Sequence, residues 1–135
     1  MTPKQALVAG FAALVAFLTL DAIWLTTMGP RLYRPALGQM MLAEPDLGAA
    51  ALFYVVYLAG LVGFAVRPSL ASPSWTSAAR WGGAFGFVAY ATYDLTNQAT
   101  IRGWPWTITG ADLLWGTFVT AAGTIAGRWA ARRFG

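Results

Sequence analysis

The sequence predicts an all-α fold, a four-helix transmembrane up-down bundle with a short interfacial helix in the first outer loop. Three observations predict it. The chain is 58% hydrophobic and only 10% charged, with a mean hydropathy of +0.56, whereas soluble domains are about a quarter charged. Four apolar stretches lie at about 5–28, 47–66, 77–97 and 107–128, each near the ~20 residues that cross a hydrocarbon core of ~30 Å. Pro30, Pro35, Pro45, Pro68, Pro73 and Pro105 all fall between those stretches, where proline interrupts no helical hydrogen bond. Residues 1–135 therefore read as a single integral membrane domain.

The elements follow in order. Lys4 ahead of an apolar run has the look of a signal peptide. The run is too long, Asp21 interrupts it, and no small-x-small cleavage site follows, so it reads as a permanent first helix. In the connection after it, Tyr33, Leu37, Met40 and Met41 recur at near-helical spacing while Arg31, Arg34 and Gln39 are polar. That pattern predicts an interfacial helix on the outer leaflet. The second helix carries Tyr54 and Tyr57 in its outer half. In the third, Gly82, Gly86, Tyr90, Tyr93 and Asn97 step by three or four and share one face. The loop before the fourth helix holds Arg102, Trp104, Pro105 and Trp106. It reads either as an aromatic belt at headgroup level or as a lid that turns Arg102 toward a carboxylate. The fourth helix places Asp112, Trp115, Gly116, Thr120, Gly123 and Gly127 at related spacings.

Composition also excludes chemistry. With no cysteine and no histidine, disulfides, thiol catalysis, iron–sulfur clusters, His-ligated haem and His proton relays are absent. The net charge of +4 reads as a topology signal and not as a nucleic-acid footprint. Lys4, Arg67, Arg80, Arg128, Arg132 and Arg133 fall on the side shared by both termini, and Arg31, Arg34 and Arg102 on the other. This bias sets both termini in the cytoplasm. Membrane lipids are the immediate partners. Gly82 with Gly86, and Gly123 with Gly127, are small-xxx-small pairs; their leading reading is close packing of the chain's own helices, and they also offer a face for a homo-oligomer.

The main functional signal is acidic. Of five Asp and Glu residues, three sit inside apolar runs: Asp21, Asp94 and Asp112. A carboxylate in hydrocarbon costs roughly 2.5–3.5 kcal/mol on insertion scales and persists with a partner, a proton or a task. The topology places all three in the outer half, so they are expected to line one cavity, with Asp94 central. Expected around them are Trp24, Tyr54, Tyr57, Tyr93, Asn97, Arg102, Trp104, Trp106 and Trp115. Asp21 and Trp24, like Asp112 and Trp115, are three apart, which sets each Asp beside its own Trp.

The strings Phe17-Leu-Thr-Leu-Asp21-Ala-Ile-Trp24-Leu25, Ala51-Leu-Phe-Tyr54-Val-Val-Tyr57-Leu-Ala-Gly60 and Tyr90-Ala-Thr-Tyr93-Asp94-Leu-Thr-Asn97-Gln-Ala-Thr100 resemble a bacterial membrane-protein family. It is catalogued as domain of unknown function family 2177. Gly103-Trp104-Pro105 and Asp112-Leu-Leu-Trp115-Gly116-Thr117 extend the resemblance over almost the whole chain. It implies a small four-helix protein of the bacterial inner membrane and brings no activity with it.

Three carboxylates in one low-dielectric pocket cannot all stay ionised without compensation. The leading expectation is binding or translocation of a cationic or amphipathic small molecule by carboxylates and aromatic faces. One alternative is a membrane enzyme acting on a lipid or isoprenoid. It would use Asp as general acid or base, or hold Mg²⁺ on Asp94, Asn97 and Asp112; otherwise no cofactor is implied. The other alternative is a structural subunit whose Asp residues fix helix register. Topology is directly testable: a reporter that is active only in the periplasm, fused after Gly135, is expected to be inactive.

Overall fold

Helix follows helix from end to end in the computed structural model, which describes residues 1–135 and contains no strand. α1, Pro3–Met28, starts from a capping box: the Thr2 hydroxyl accepts the Gln5 N–H at 3.1 Å, and the Gln5 side chain accepts the Thr2 N–H at 3.0 Å. α2, Leu47–Leu61, starts at Asp46, whose carboxylate accepts the Ala49 N–H at 3.1 Å. Asp46 is thus a helix cap and not a site residue. α3 spans Thr76–Thr100 and α4 spans Trp106–Phe134.

Three boundaries differ from expectation. α1 does not stop before a separate interfacial helix. It runs on through a wide π turn, Gly29–Tyr33, into Arg34–Leu37 and a last tight turn, Gly38–Met40. Pro30 explains the wide turn: it has no N–H and its ring crowds the carbonyl four residues back, so the backbone opens to the next register. Gly38, at φ +55°, then turns the chain out of the helix. α2 likewise continues through a π turn, Val62–Val66, to Arg67–Ser69 beside Pro68. α4 also runs past residue 128, to Phe134.

α4 is the central element, packed along both α1 and α3. Against α3 the two backbones nearly touch. A Cβ built on Gly86 would collide with the Gly116 carbonyl, and one on Gly82 would lie 2.8 Å from the Thr120 carbonyl. Tyr90 of α3 fills the space above Gly116. Against α1, a Cβ on Gly127 would lie 3.0 Å from the Ala9 carbonyl, and one on Gly123 3.7 Å from that of Ala13. Residue numbers rise along one helix as they fall along the other in both pairings. All four glycines are buried against the chain's own helices, as the helix-packing reading expects, so Gly82, Gly86, Gly123 and Gly127 do not offer the face suggested for a second copy.

Apolar side chains turn outward on every helix, among them Leu7, Phe11, Leu52, Val55, Phe87, Val88, Leu114 and Phe118. Exposed threonines on α1 and α3 return their hydroxyls to their own backbone: Thr19 donates to the Val15 carbonyl and Thr92 to that of Val88, each at 2.7 Å. This satisfies a polar group without water. By length and composition two helical stretches, Pro3–Met40 and Leu47–Ser69, are apolar enough to cross a membrane.

Gly86→Ala is expected to lower the melting temperature in detergent. Overpacking costs about 1–3 kcal/mol, and here the obstacle is backbone. Gly110→Ala, where a Cβ meets nothing within 4 Å, is expected to leave it unchanged or raised.

Candidate functional site

The packing of α4 between α1 and α3 brings Asp21, Asp94 and Asp112 together, but not as three equal walls of a cavity. Asp94, on α3, is fully buried; no N–H or hydroxyl reaches its oxygens, and its one partner is another carboxyl, with which it shares a hydrogen bond. Its close neighbour is the Asp112 carboxyl of α4. Asp112 has 8% of its surface exposed. Its Oδ1 accepts a short hydrogen bond from the Tyr33 hydroxyl. Asp21, on α1, accepts from Trp115 Nε1 at 3.2 Å and, more weakly, from the Tyr54 hydroxyl at 3.4 Å.

Trp24 and Trp115 stack face to face, with centroids 4.5 Å apart and planes 7° from parallel. Their N–H groups cross over. Trp115 donates to Asp21 of the opposite helix. Trp24 donates to the Tyr33 hydroxyl at 2.9 Å, and Tyr33 in turn donates to Asp112. The expectation that each Asp pairs with the Trp three residues on is therefore corrected: each tryptophan serves the carboxyl of the other helix, one directly and one through Tyr33. An indole N–H needs an acceptor when it is taken out of water, and the carboxyls supply one at both ends of the stack.

Tyr57 is buried and hydrogen-bonded to Thr120, and its ring packs on Phe17 at 4.9 Å. It also lines a cavity of about 380 Å³ between α2 and α3, with Phe53, Ala89, Tyr90, Tyr93 and Asp112. Asp112 is the only acid on that wall. Asp94, expected to be central, lies behind it. Tyr93 is exposed at the mouth, edge-on to Trp104 at 5.8 Å.

The remaining expected residues stand apart from the carboxyls. Asn97 is half-buried near Tyr93 and makes no hydrogen bond to Asp94. Trp104 belongs to a polar clasp on the loop: its Nε1 donates to Thr109 at 3.2 Å, its carbonyl accepts from Gln98 at 2.8 Å, and Thr109 donates to Gln98 at 2.9 Å. Arg102 is exposed and faces no carboxylate, and Trp106 points outward with 69% of its surface exposed. The lid expectation is corrected in one respect: the loop bends at Gly103, φ +76°, and the clasp holds it with Trp104 beside Tyr93, while Arg102 turns to no carboxylate. No group of three or more His, Cys, Asp or Glu residues is arranged to hold a metal ion.

Sequence reasoning missed Tyr33, Gln98, Thr109 and Thr120 as parts of this network. Tyr33 had a signal, a hydroxyl at helical spacing after α1. It was assigned to a separate interfacial helix because Pro30 suggested a break.

A wholly helical chain with apolar side chains outside and carboxyls, indoles and phenols paired inside is a helical membrane protein. The chain belongs to the family described as Predicted membrane protein (DUF2177), whose family profile matches residues 6–129. No curated protein and no solved structure matches it.

Tyr33→Phe keeps the ring but strands Trp24 Nε1 and removes the donor to Asp112. An unsatisfied buried polar group costs ~1–3 kcal/mol, so this variant is expected to melt well below the parent in detergent. Tyr54→Phe, which loses only the 3.4 Å contact, is expected to melt close to it.

Proposed function

We propose that this is an inner-membrane protein that binds or translocates a cationic, amphipathic small molecule at the Asp112 cavity. In this reading four helices cross the membrane in up-down order with both termini in the cytoplasm. The opposite stepping of contacts between α4 and its two neighbours supports the order, and the excess of basic residues at the terminal side supports the orientation.

One observation supports the ligand class: a single carboxyl lines a cavity whose other walls are four aromatic rings and Ala89. A volume of about 380 Å³ falls in the range of small-molecule pockets. Rings of Phe53, Tyr57, Tyr90 and Tyr93 offer apolar walls and π faces, which attract a cation by ~0.5–2 kcal/mol each, depending on how dry the contact is. Asp112 is engaged inside the chain by the Tyr33 hydroxyl and by the carboxyl of Asp94, and by no cation. No arginine or lysine side chain pairs with Asp112, Asp94 or Asp21, so a bound cation supplies the compensating charge that the protein does not. The cavity faces outward between two helices, which suits a ligand partitioned into the bilayer.

The test is binding of tetraphenylphosphonium to the protein in phosphatidylcholine nanodiscs, by equilibrium dialysis. Saturable binding is expected, with neutral triphenylphosphine oxide bound far less. Asp112→Asn is expected to weaken it at least about tenfold, equivalent to ~1.4 kcal/mol, and Trp106→Ala to leave it unchanged. Equal binding of the neutral compound, or unchanged binding by Asp112→Asn, overturns the reading.

A further inference from the structure

At the opposite end of α4 the charge pattern reverses. Arg128 is buried, with 6% of its surface exposed, and no acidic side chain pairs with it. Its Nε donates to the Ser69 carbonyl at 3.2 Å and its Nη2 to the Ser72 carbonyl at 2.6 Å. One turn on, Arg132 donates to the carbonyls of Leu70 at 3.1 Å and Ser72 at 2.7 Å. These bonds close the end of the α2 extension, whose last carbonyls have no helical partner. They satisfy some donors of the two guanidinium groups and leave both charges uncompensated. All five acidic side chains are elsewhere: three in the site above, and Glu44 and Asp46 in the connection before α2.

The same arginines line a cavity of about 330 Å³ with Trp75, Ile125, Trp129 and Arg133. Arg133 makes no hydrogen bond to the backbone; its guanidinium rests over the Phe134 ring at 5.4 Å. Trp75 and Trp129 are both exposed, as tryptophans at headgroup level are. Trp129 is also a wall of a second cavity, an all-apolar groove of about 440 Å³ between α1 and α4, lined by Phe11, Val15 and Ala126 among others. A basic pocket and an apolar groove thus share one tryptophan.

We propose that this pair of cavities is a binding site for one anionic phospholipid. The phosphate sits against Arg128, Arg132 and Arg133 under Trp75, and an acyl chain passes Trp129 into the groove between α1 and α4. Phosphate oxygens meet the free guanidinium donors in the planar, forked geometry that arginine provides. They also neutralise a buried cation that has only carbonyl dipoles around it. Basic pockets between transmembrane helices bind such headgroups on the cytoplasmic side. A free phosphate would satisfy the arginines but would leave the adjoining groove unexplained, and this decides for the lipid.

Native mass spectrometry of the detergent-purified full chain tests it, with phosphatidylglycerol or phosphatidylcholine added at equal concentration. The expected result is one phosphatidylglycerol retained at least about fivefold over phosphatidylcholine. Arg133→Gln, which removes no backbone hydrogen bond, is expected to reduce that preference at least about threefold with an unchanged melting temperature. Ala126→Trp, which fills the groove without touching the arginines, is expected to reduce it as well. Millimolar inorganic phosphate is expected not to displace the lipid. Equal retention of the two lipids, or full retention by Arg133→Gln, overturns the site. Displacement by inorganic phosphate, or an unaffected Ala126→Trp, overturns the lipid assignment in favour of a simple anion site.

Discussion

Gly116, Thr120 and Thr124 on one face of α4, and Gly123 and Gly127 on another, let two neighbouring helices approach to backbone contact. Everything else in the structure depends on that closeness. Association of helices in lipid has no hydrophobic drive, because lipid tails are as apolar as leucine; it relies on dispersion contacts and hydrogen bonds, both of which need short distances. The α3 seam sets the depth at which Asp94 meets Asp112. The α1 seam sets the depth at which Trp24 meets Trp115. A shift of either helix by one turn, 5.4 Å, would separate these pairs.

The polar interior is built differently at its two ends. In the half that holds the aspartates, acceptors outnumber donors: Tyr33, Tyr54 and Trp115 reach Asp112 and Asp21, while Asp94 has only the carboxyl of Asp112 for a partner. At the other end donors outnumber acceptors, and Arg128 and Arg132 are met only by carbonyls of residues 69–72. Neither end resolves its surplus with an ion pair inside the chain. A closed scaffold would bring the opposite charges together, because an unpaired buried charge costs several kcal/mol. Here they are held at opposite ends of one helix, Asp112 and Arg128 being 16 residues apart, about 24 Å at 1.5 Å per residue. In the readings proposed above, each surplus is met by a ligand of opposite sign.

The two π turns contribute to both ends. The one at Gly29–Tyr33 rotates the helical register after Pro30, so that the Tyr33 hydroxyl comes back over α4 to Asp112. The one at Val62–Val66 precedes the short turn whose carbonyls Arg128 and Arg132 cap. Such widened turns are frequent at functional sites, because they re-aim side chains without ending the helix. Here each follows from the local cost of a proline near the end of a helix.

Composition and hydrophobic run length by themselves determined that the chain is helical and belongs in a membrane, because about 20 apolar residues in hydrocarbon have no other way to satisfy their backbone. The rarity of acids in such runs marked Asp21, Asp94 and Asp112, and helical spacing put Gly82, Gly86 and Tyr90 on one face, where the structure has them. What side chains of different helices do to one another was decided only by tertiary packing. The pairing of Trp24 with Tyr33 and of Trp115 with Asp21 depends on the rotation and depth of two helices, which no spacing within either one encodes. The assignment of the glycines to the chain's own seams, and not to a second copy, depends on which faces meet. So does the position of Arg102 and Trp106 away from the carboxyls, because the clasp that holds their loop joins residues of two helices, Gln98 and Thr109. Periodicity along one helix gives a face, and only the neighbouring helix decides what that face touches.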